Sequence, residues 1–255
     1  MTKTIRKYLI ICFSITYASW GILAIYTHLE QISFYKYTWM YILYILGVLA
    51  PAISAVIIQV RNKEYTLKDA LLRIIHPTKN SSDILLVCIA VFSFDILPFL
   101  IYGGQQTASL ANVFLSIPIF FIIGGLEEVG WRGYWLEHII TNTSWSNLKS
   151  AFVIGIIWVI WHLPLFAIIG TYQQQYLNIG IFALWTIGFS FILTGIYLYR
   201  RNVLLCLLAH CLMNSFGEIF IPKESYIEGI TKLIIGFAFF GFITYVLQKR
   251  HTSHV

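Results

Sequence analysis

The chain has 255 residues, of which 58% are hydrophobic and only 11% are charged, with a mean hydropathy of +0.77. A soluble domain carries about 25% charged residues, so this composition excludes an ordinary water-soluble protein and favours one membrane domain over residues 1–255. The formal charge is +6, but the basic residues lie between apolar runs, so we expect membrane topology to explain them and predict no nucleic-acid partner.

Eight apolar runs are long enough to cross a bilayer, which requires about 20 helical residues. They lie near residues 8–26, 38–60, 84–102, 110–136, 148–169, 179–199, 203–221 and 227–247. A lipid-exposed backbone must satisfy its own hydrogen bonds, and the runs lack the alternation of barrel strands, so we expect helices. The sequence therefore predicts an all-α, polytopic membrane protein with about eight transmembrane helices.

Lysine and arginine divide unequally between the two sides of these spans. One side carries fourteen of them, Arg132 included, whereas the other carries only Lys36, Lys223 and Lys232. Because positively charged loops stay in the cytoplasm, this division supports the span count and predicts cytoplasmic termini. The Ile-, Tyr- and Asn-rich composition suggests an AT-rich bacterial source, so we expect a bacterial plasma membrane.

Ionisable side chains within spans are costly and tend to face a cavity or a partner. The stretch GGLEEVGWRGYW places Glu127 and Glu128 about 100° apart on a helix. Glu128 and Arg132 are four residues apart, so they share a face and can form an ion pair. That pair leaves Glu127 without a partner on its own helix, and such a carboxylate suits a general base for water.

Two histidines lie in later spans. The indole of Trp158 can pack against the imidazole of His162, four residues further on, while Pro164 cannot donate to the carbonyl of Ile160. His210 and Asn214 are also four residues apart. Their side chains could bind a metal or hydrogen-bond a developing oxyanion.

The depths of these residues in their spans allow Glu127, His162 and His210 to meet, and we expect them to do so in the cytoplasmic half of the membrane. Asp95 has no motif partner, so we expect a structural bond to another span. Glu218 follows Asn214 by four residues, so it either lines the same face or marks the outer interface.

The motifs EExxxR, aromatic-xxx-H and HxxxN, in this order within apolar runs, resemble the CPBP family. These are the CAAX prenyl endopeptidases and bacteriocin-processing intramembrane proteases. The family commonly has phenylalanine where this chain has Trp158, and we expect that exchange to affect packing more than chemistry. The resemblance covers a catalytic core of about residues 110–220, with matches at Glu127, Glu128, Arg132, His162, His210 and Asn214.

The resemblance implies an intramembrane endopeptidase whose helices enclose an active site and whose substrate is a leader, pheromone or lipidated peptide, or a membrane protein. It implies that Glu127 and His162 activate a water molecule. His210 and Asn214 would stabilise the oxyanion, and Glu128, Arg132 and Trp158 would support the site.

The need for a cofactor stays open, because the family is described both as metalloproteases and as glutamate-type proteases. A divalent metal such as zinc takes three protein ligands plus water, which Glu127, His162 and His210 could supply. No helix carries the compact H-E-x-x-H arrangement, so we favour a metal-free water activated by Glu127.

Two other functions fit an apolar chain with intramembrane acids and histidines. Such groups suit a proton-coupled transporter, although the sequence shows no paired halves with matching broken helices. A non-catalytic bacteriocin-immunity membrane protein is the other alternative.

Overall fold

The computed structural model describes residues 2–63, 66, 68–69 and 80–252. Its longer helices follow the predicted apolar runs in order. They are α1 (Lys3–Glu30), α2 (Thr38–Arg61), α3 (Ser81–Tyr102), α4 (Leu110–Asn142), α5 (Asn147–His162, extended by a 3-10 turn at Leu163–Ala167), α7 (Ile179–Arg200), α8 (Val203–Ile219) and α9 (Tyr226–Thr252). A short helix, α6 (Tyr172–Tyr176), lies in the loop between α5 and α7.

In this described part, seven helices are long and apolar enough to cross a membrane. The predicted run at 203–221 corresponds to α8, which has 17 residues and is shorter than a usual span. An all-α polytopic membrane protein is therefore confirmed.

Close helix packing holds the bundle together. Helix α7 lies along α5 and α9, α1 lies along α2, and α8 contacts α3, α4 and α7. A Cβ atom at Gly236 would lie 2.1 Å from the carbonyl oxygen of Gly188, so α7 and α9 approach each other at two glycines. Small residues permit this approach where lipid supplies no hydrophobic drive.

Helix α4 is broken just before its paired glutamates. Gly124 has φ 116° and ψ −64°, a backbone conformation that favours glycine, and Ile123 also leaves helical geometry. Glu127 and Glu128 consequently lie in the first turn of the second half of α4. Free backbone N–H groups at such a helix start favour negative charge.

Two short strands lie at one end of the bundle. Strand β1 (Gly104–Gln106) pairs antiparallel with β2 (Phe220–Pro222). Loops 31–37 and 168–178 meet there, since Phe34 N donates to Ile169 O at 3.0 Å. We call this the strand end.

The opposite end carries most of the basic residues and is called the basic end. Arg201 Nη2 lies 2.9 Å from Glu137 Oε1 there, and Thr2 Oγ1 lies 2.9 Å from His138 Nε2. These contacts bring together the chain's start, the end of α4 and the end of α7.

Two basic residues that we counted on the two sides of the membrane are buried inside helices. Arg132 is fully buried in α4, and Lys232 is buried in α9. Removing both leaves thirteen basic residues on the predicted cytoplasmic side against two on the other. The asymmetry therefore becomes stronger after the correction.

Candidate active site

The four predicted site residues line one cavity of about 480 Å³. Glu127 enters it from α4, His162 from α5, and His210 and Asn214 from α8. Glu127 is only 4% exposed. The acid therefore faces an enclosed space between helices and not lipid.

The indole of Trp158 gives Glu127 a partner from another helix. Trp158 Nε1 donates to Glu127 Oε2 at 2.9 Å. The same ring stacks under the Arg132 guanidinium, 4.7 Å from ring centroid to Cζ, and meets the His210 ring edge-on at 5.4 Å. We expected the exchange of phenylalanine for Trp158 to affect packing, and it also adds this hydrogen bond, because phenylalanine has no N–H to donate.

Glu128 joins two other site residues. As predicted from their spacing, Arg132 pairs with it, Nη1 to Oε2 at 2.9 Å, and both side chains are fully buried. Arg132 Nη2 also donates to Ser190 Oγ at 3.1 Å. The other oxygen of Glu128 accepts from His210 Nδ1 at 2.8 Å, a contact between α4 and α8 that the sequence did not indicate.

His162 has a defined tautomer. Its Nδ1 lies 2.8 Å from the carbonyl oxygen of Trp158, and since a carbonyl can only accept, Nδ1 carries the proton. The Nε2 atom of a neutral ring is then a lone-pair acceptor. The rings of Trp161 and Phe182 hold the imidazole edge-on at 4.6 and 5.1 Å.

The backbone below His162 shows the effect of Pro164. Pro164 has no N–H to donate to the carbonyl of Ile160. That carbonyl accepts a hydrogen bond from the hydroxyl of Tyr17 at 2.6 Å. Leu163 N also donates to it, closing the last turn. The end of α5 that carries His162 is thereby tied to α1.

Asn214 and His210 converge over Gly124. A Cβ atom at Gly124 would lie 2.4 Å from Asn214 Nδ2 and 3.0 Å from His210 Nε2. Asn214 Nδ2 also lies 3.5 Å from Ile123 O. Glycine at the break in α4 thus leaves room for an amide and an imidazole nitrogen on one patch of the cavity wall.

The hydrogen bonds of the two histidines define which of their atoms remain for a ligand. Within the described residues, no three His, Cys, Asp or Glu side chains form a group that could hold a metal ion. His162 Nδ1 and His210 Nδ1 are already bonded to Trp158 and Glu128. Each ring therefore keeps Nε2 as the atom that could bind a water molecule or a metal ion.

A second charged cluster lines the cavity nearer the strand end. Lys232 Nζ lies 3.5 Å from both Asp95 Oδ1 and Glu228 Oε1, and all three side chains are buried. Asp95 thus makes the bond to another span that we expected. We missed Lys232 and Glu228, although their spacing of four residues within an apolar run was a usable signal.

The cavity lies toward the strand end. His162 is the last residue of α5, and the lining continues through Tyr35, Tyr172 and Pro222 to the exposed Glu218. His162 ends α5 on the strand side, whereas His210 lies nearer the start of α8, on the basic side. Our placement of the site in the cytoplasmic half stays a prediction.

Comparison with known proteins agrees with the motifs. Residues 109–216 match the model of a family described as "Type II CAAX prenyl endopeptidase Rce1-like". The CAAX prenyl protease 2 of Methanococcus maripaludis is 28% identical over 233 residues, covering 84% of each chain. The predicted resemblance is confirmed, and the matched segment contains Glu127, His162, His210 and Asn214. An intramembrane endopeptidase is the activity that these findings support.

Proposed function

We propose, because residues 109–216 of this chain are Rce1-like, that it hydrolyses a peptide bond with a water molecule activated by Glu127. The observation that carries this proposal is the hydrogen bond between Trp158 Nε1 and Glu127 Oε2 inside the cavity. It fixes one carboxylate oxygen, Oε2, and in this proposal the other oxygen, Oε1, accepts the water proton. A general base of this kind contributes about 10²- to 10⁴-fold to rate.

In the first step, Glu127 takes a proton from water while the water oxygen attacks the carbonyl carbon of the scissile bond. The other O–H of the same water molecule donates a hydrogen bond to His162 Nε2, which orients the attacking oxygen. The carbonyl oxygen becomes an oxyanion. Glu127 then passes its proton to the departing nitrogen, so that the amide bond breaks and the acid returns to its charged form.

His210 and Asn214 would receive the oxyanion. Asn214 Nδ2 is a neutral donor, and it lies beside His210 Nε2 over Gly124. Because His210 Nδ1 donates to Glu128, its Nε2 donates only when the ring carries a second proton. The Glu128 carboxylate is the counter-ion for that charge, and Arg132 holds Glu128 in place. Loss of one oxyanion donor costs about 10²- to 10³-fold in rate.

The substrate in this proposal is a leader, pheromone or lipidated peptide, or a membrane protein, within the bilayer. The chain would lie in a bacterial plasma membrane with both termini in the cytoplasm. The excess of thirteen basic residues over two on opposite sides of the spans supports that orientation.

Membrane peptidomics of a strain lacking the chain tests the proposal. The strain is complemented with the parent, with Glu127→Gln, or with Glu30→Gln, which changes an exposed glutamate at the end of α1. We expect cleavage products with the parent and Glu30→Gln and uncut precursors with Glu127→Gln at equal membrane abundance. Identical peptide profiles in all strains would contradict the proposal and leave a carrier or immunity protein as the better account.

A further inference from the structure

In the part of the chain that the structure describes, the loops that border the cavity lie at the strand end. The lining includes Tyr35 from loop 31–37, Tyr172 from loop 168–178, and Pro222 from β2. Backbone hydrogen bonds join these loops, among them Phe34 N to Ile169 O at 3.0 Å and Lys223 N to Gly103 O at 2.9 Å. The mouth is therefore a connected rim at one end of the bundle.

The helices that form the cavity walls end in basic residues at the other end. Helix α2 reaches Arg61, α5 begins two residues before Lys149, and α7 ends at Arg200 and is followed by Arg201. The 22 residues of α7 span about 33 Å at the helical rise, which is about one hydrocarbon thickness. The mouth and the basic loops consequently lie on opposite sides of the membrane.

Positive loops remain in the cytoplasm, and by sequence thirteen basic residues fall between the spans on the basic side against two on the other side. We infer that the cavity opens to the extracytoplasmic side and receives a peptide segment presented there after export. The substrate in this inference depends on the proposed function. The side of the membrane on which the cavity opens depends on the loop charges.

The lining indicates the chemistry of that segment. Aromatic rings line much of the cavity, including Trp20, Phe34, Tyr44, Phe182 and Phe189. Such walls accept apolar side chains or an acyl chain. The substrate class is therefore the apolar, membrane-embedded part of an exported peptide or lipoprotein, and not a lipidated tail on the cytoplasmic surface.

Two single cysteine variants test the side of the opening. Gln175→Cys places a thiol on exposed α6 beside the cavity mouth, and Ser144→Cys places one in the exposed loop between α4 and α5 at the basic end. Intact spheroplasts are treated with a membrane-impermeant maleimide, and the unaltered chain gives the background from its four native cysteines. Detergent-denatured samples establish that each new thiol can react.

We expect at least tenfold more labelling of Gln175→Cys than of Ser144→Cys in intact spheroplasts, and equal labelling after permeabilisation. The reverse pattern, equal labelling before permeabilisation, or no labelling of Gln175→Cys in intact spheroplasts would overturn the inference. The same pattern in a Glu127→Gln background makes the result independent of catalysis. The proposed peptidase function can thus fail while the orientation holds, and the orientation can fail while cleavage is retained.

Discussion

The indole nitrogen of Trp158 donates a hydrogen bond of 2.9 Å to Oε2 of Glu127, between a residue of α5 and a residue of α4. Both side chains are buried. The carbonyl of Trp158 also accepts from His162 Nδ1. One residue therefore orients both groups that we propose to act on water, and it does so through different atoms.

Trp158→Phe removes the indole N–H while keeping an aromatic ring. A hydrogen bond to a charged group contributes about 1.5–3 kcal/mol, so we expect kcat to fall about tenfold or more and KM to change little. Peptide cleavage kinetics provide the measurement. Trp145→Phe, in the loop before α5 and remote from the cavity, is the matched control; an unchanged kcat for Trp158→Phe would remove the positioning role.

Gly124→Ala should disrupt the oxyanion wall. The new Cβ would lie 2.4 Å from Asn214 Nδ2, and the positive φ disfavours any L-residue. We expect a loss of activity comparable to that of Asn214→Ala, about 10²-fold or more. Gly241→Ala has no atom within 4 Å of its Cβ and should cleave at the parental rate. Full activity of Gly124→Ala would show that the donors are not where we place them.

The buried pair of Glu128 and Arg132 can be tested by a double-mutant cycle. Removing one partner leaves an uncompensated buried charge, which costs about 3–5 kcal/mol. We expect Glu128→Gln and Arg132→Met each to lower thermal stability in detergent strongly. The double variant should be less destabilised than the sum of the two single changes, whereas strict additivity would mean that the two charges do not interact.

Lys232 supports two carboxylates from inside the bundle. Lys232→Met leaves Asp95 and Glu228 buried without their shared cation, so we expect a stability loss of about 3–5 kcal/mol. Adding Asp95→Asn should restore part of it. Lys223→Met, at an exposed lysine on the strand end, should stay within about 0.5 kcal/mol of the parent; equal losses for both lysines would contradict a specific cluster.

Structural features that depend on residues close together in the sequence could be predicted from it. Apolar length predicted every long helix of the described part, because a lipid-facing backbone permits little else. The spacing of Glu128 and Arg132 predicted their ion pair, because residues four apart share a helix face. Because Pro164 has no N–H for the carbonyl of Ile160, the sequence predicted that this carbonyl is partly free. The hydroxyl of Tyr17 donates a hydrogen bond to it.

Contacts between helices could not be predicted in this way. The bonds of Trp158 to Glu127 and of His210 to Glu128 depend on how α4, α5 and α8 rotate and slide against one another. The charge count also included Arg132 and Lys232, which are paired inside the bundle and do not lie at a membrane surface. The break at Gly124 likewise follows from tertiary packing around a glycine.

The central claim is that the carboxylate of Glu127 activates the water that cleaves the peptide. Its most direct test is the cleavage rate of a peptide identified by the peptidomics, measured with purified parent, Glu127→Gln and Glu30→Gln proteins in lipid vesicles. We predict that Glu127→Gln loses at least about 10²-fold in kcat with an unaltered thermal transition, while Glu30→Gln keeps the parental rate. A folded Glu127→Gln protein that cleaves at the parental rate would contradict the account.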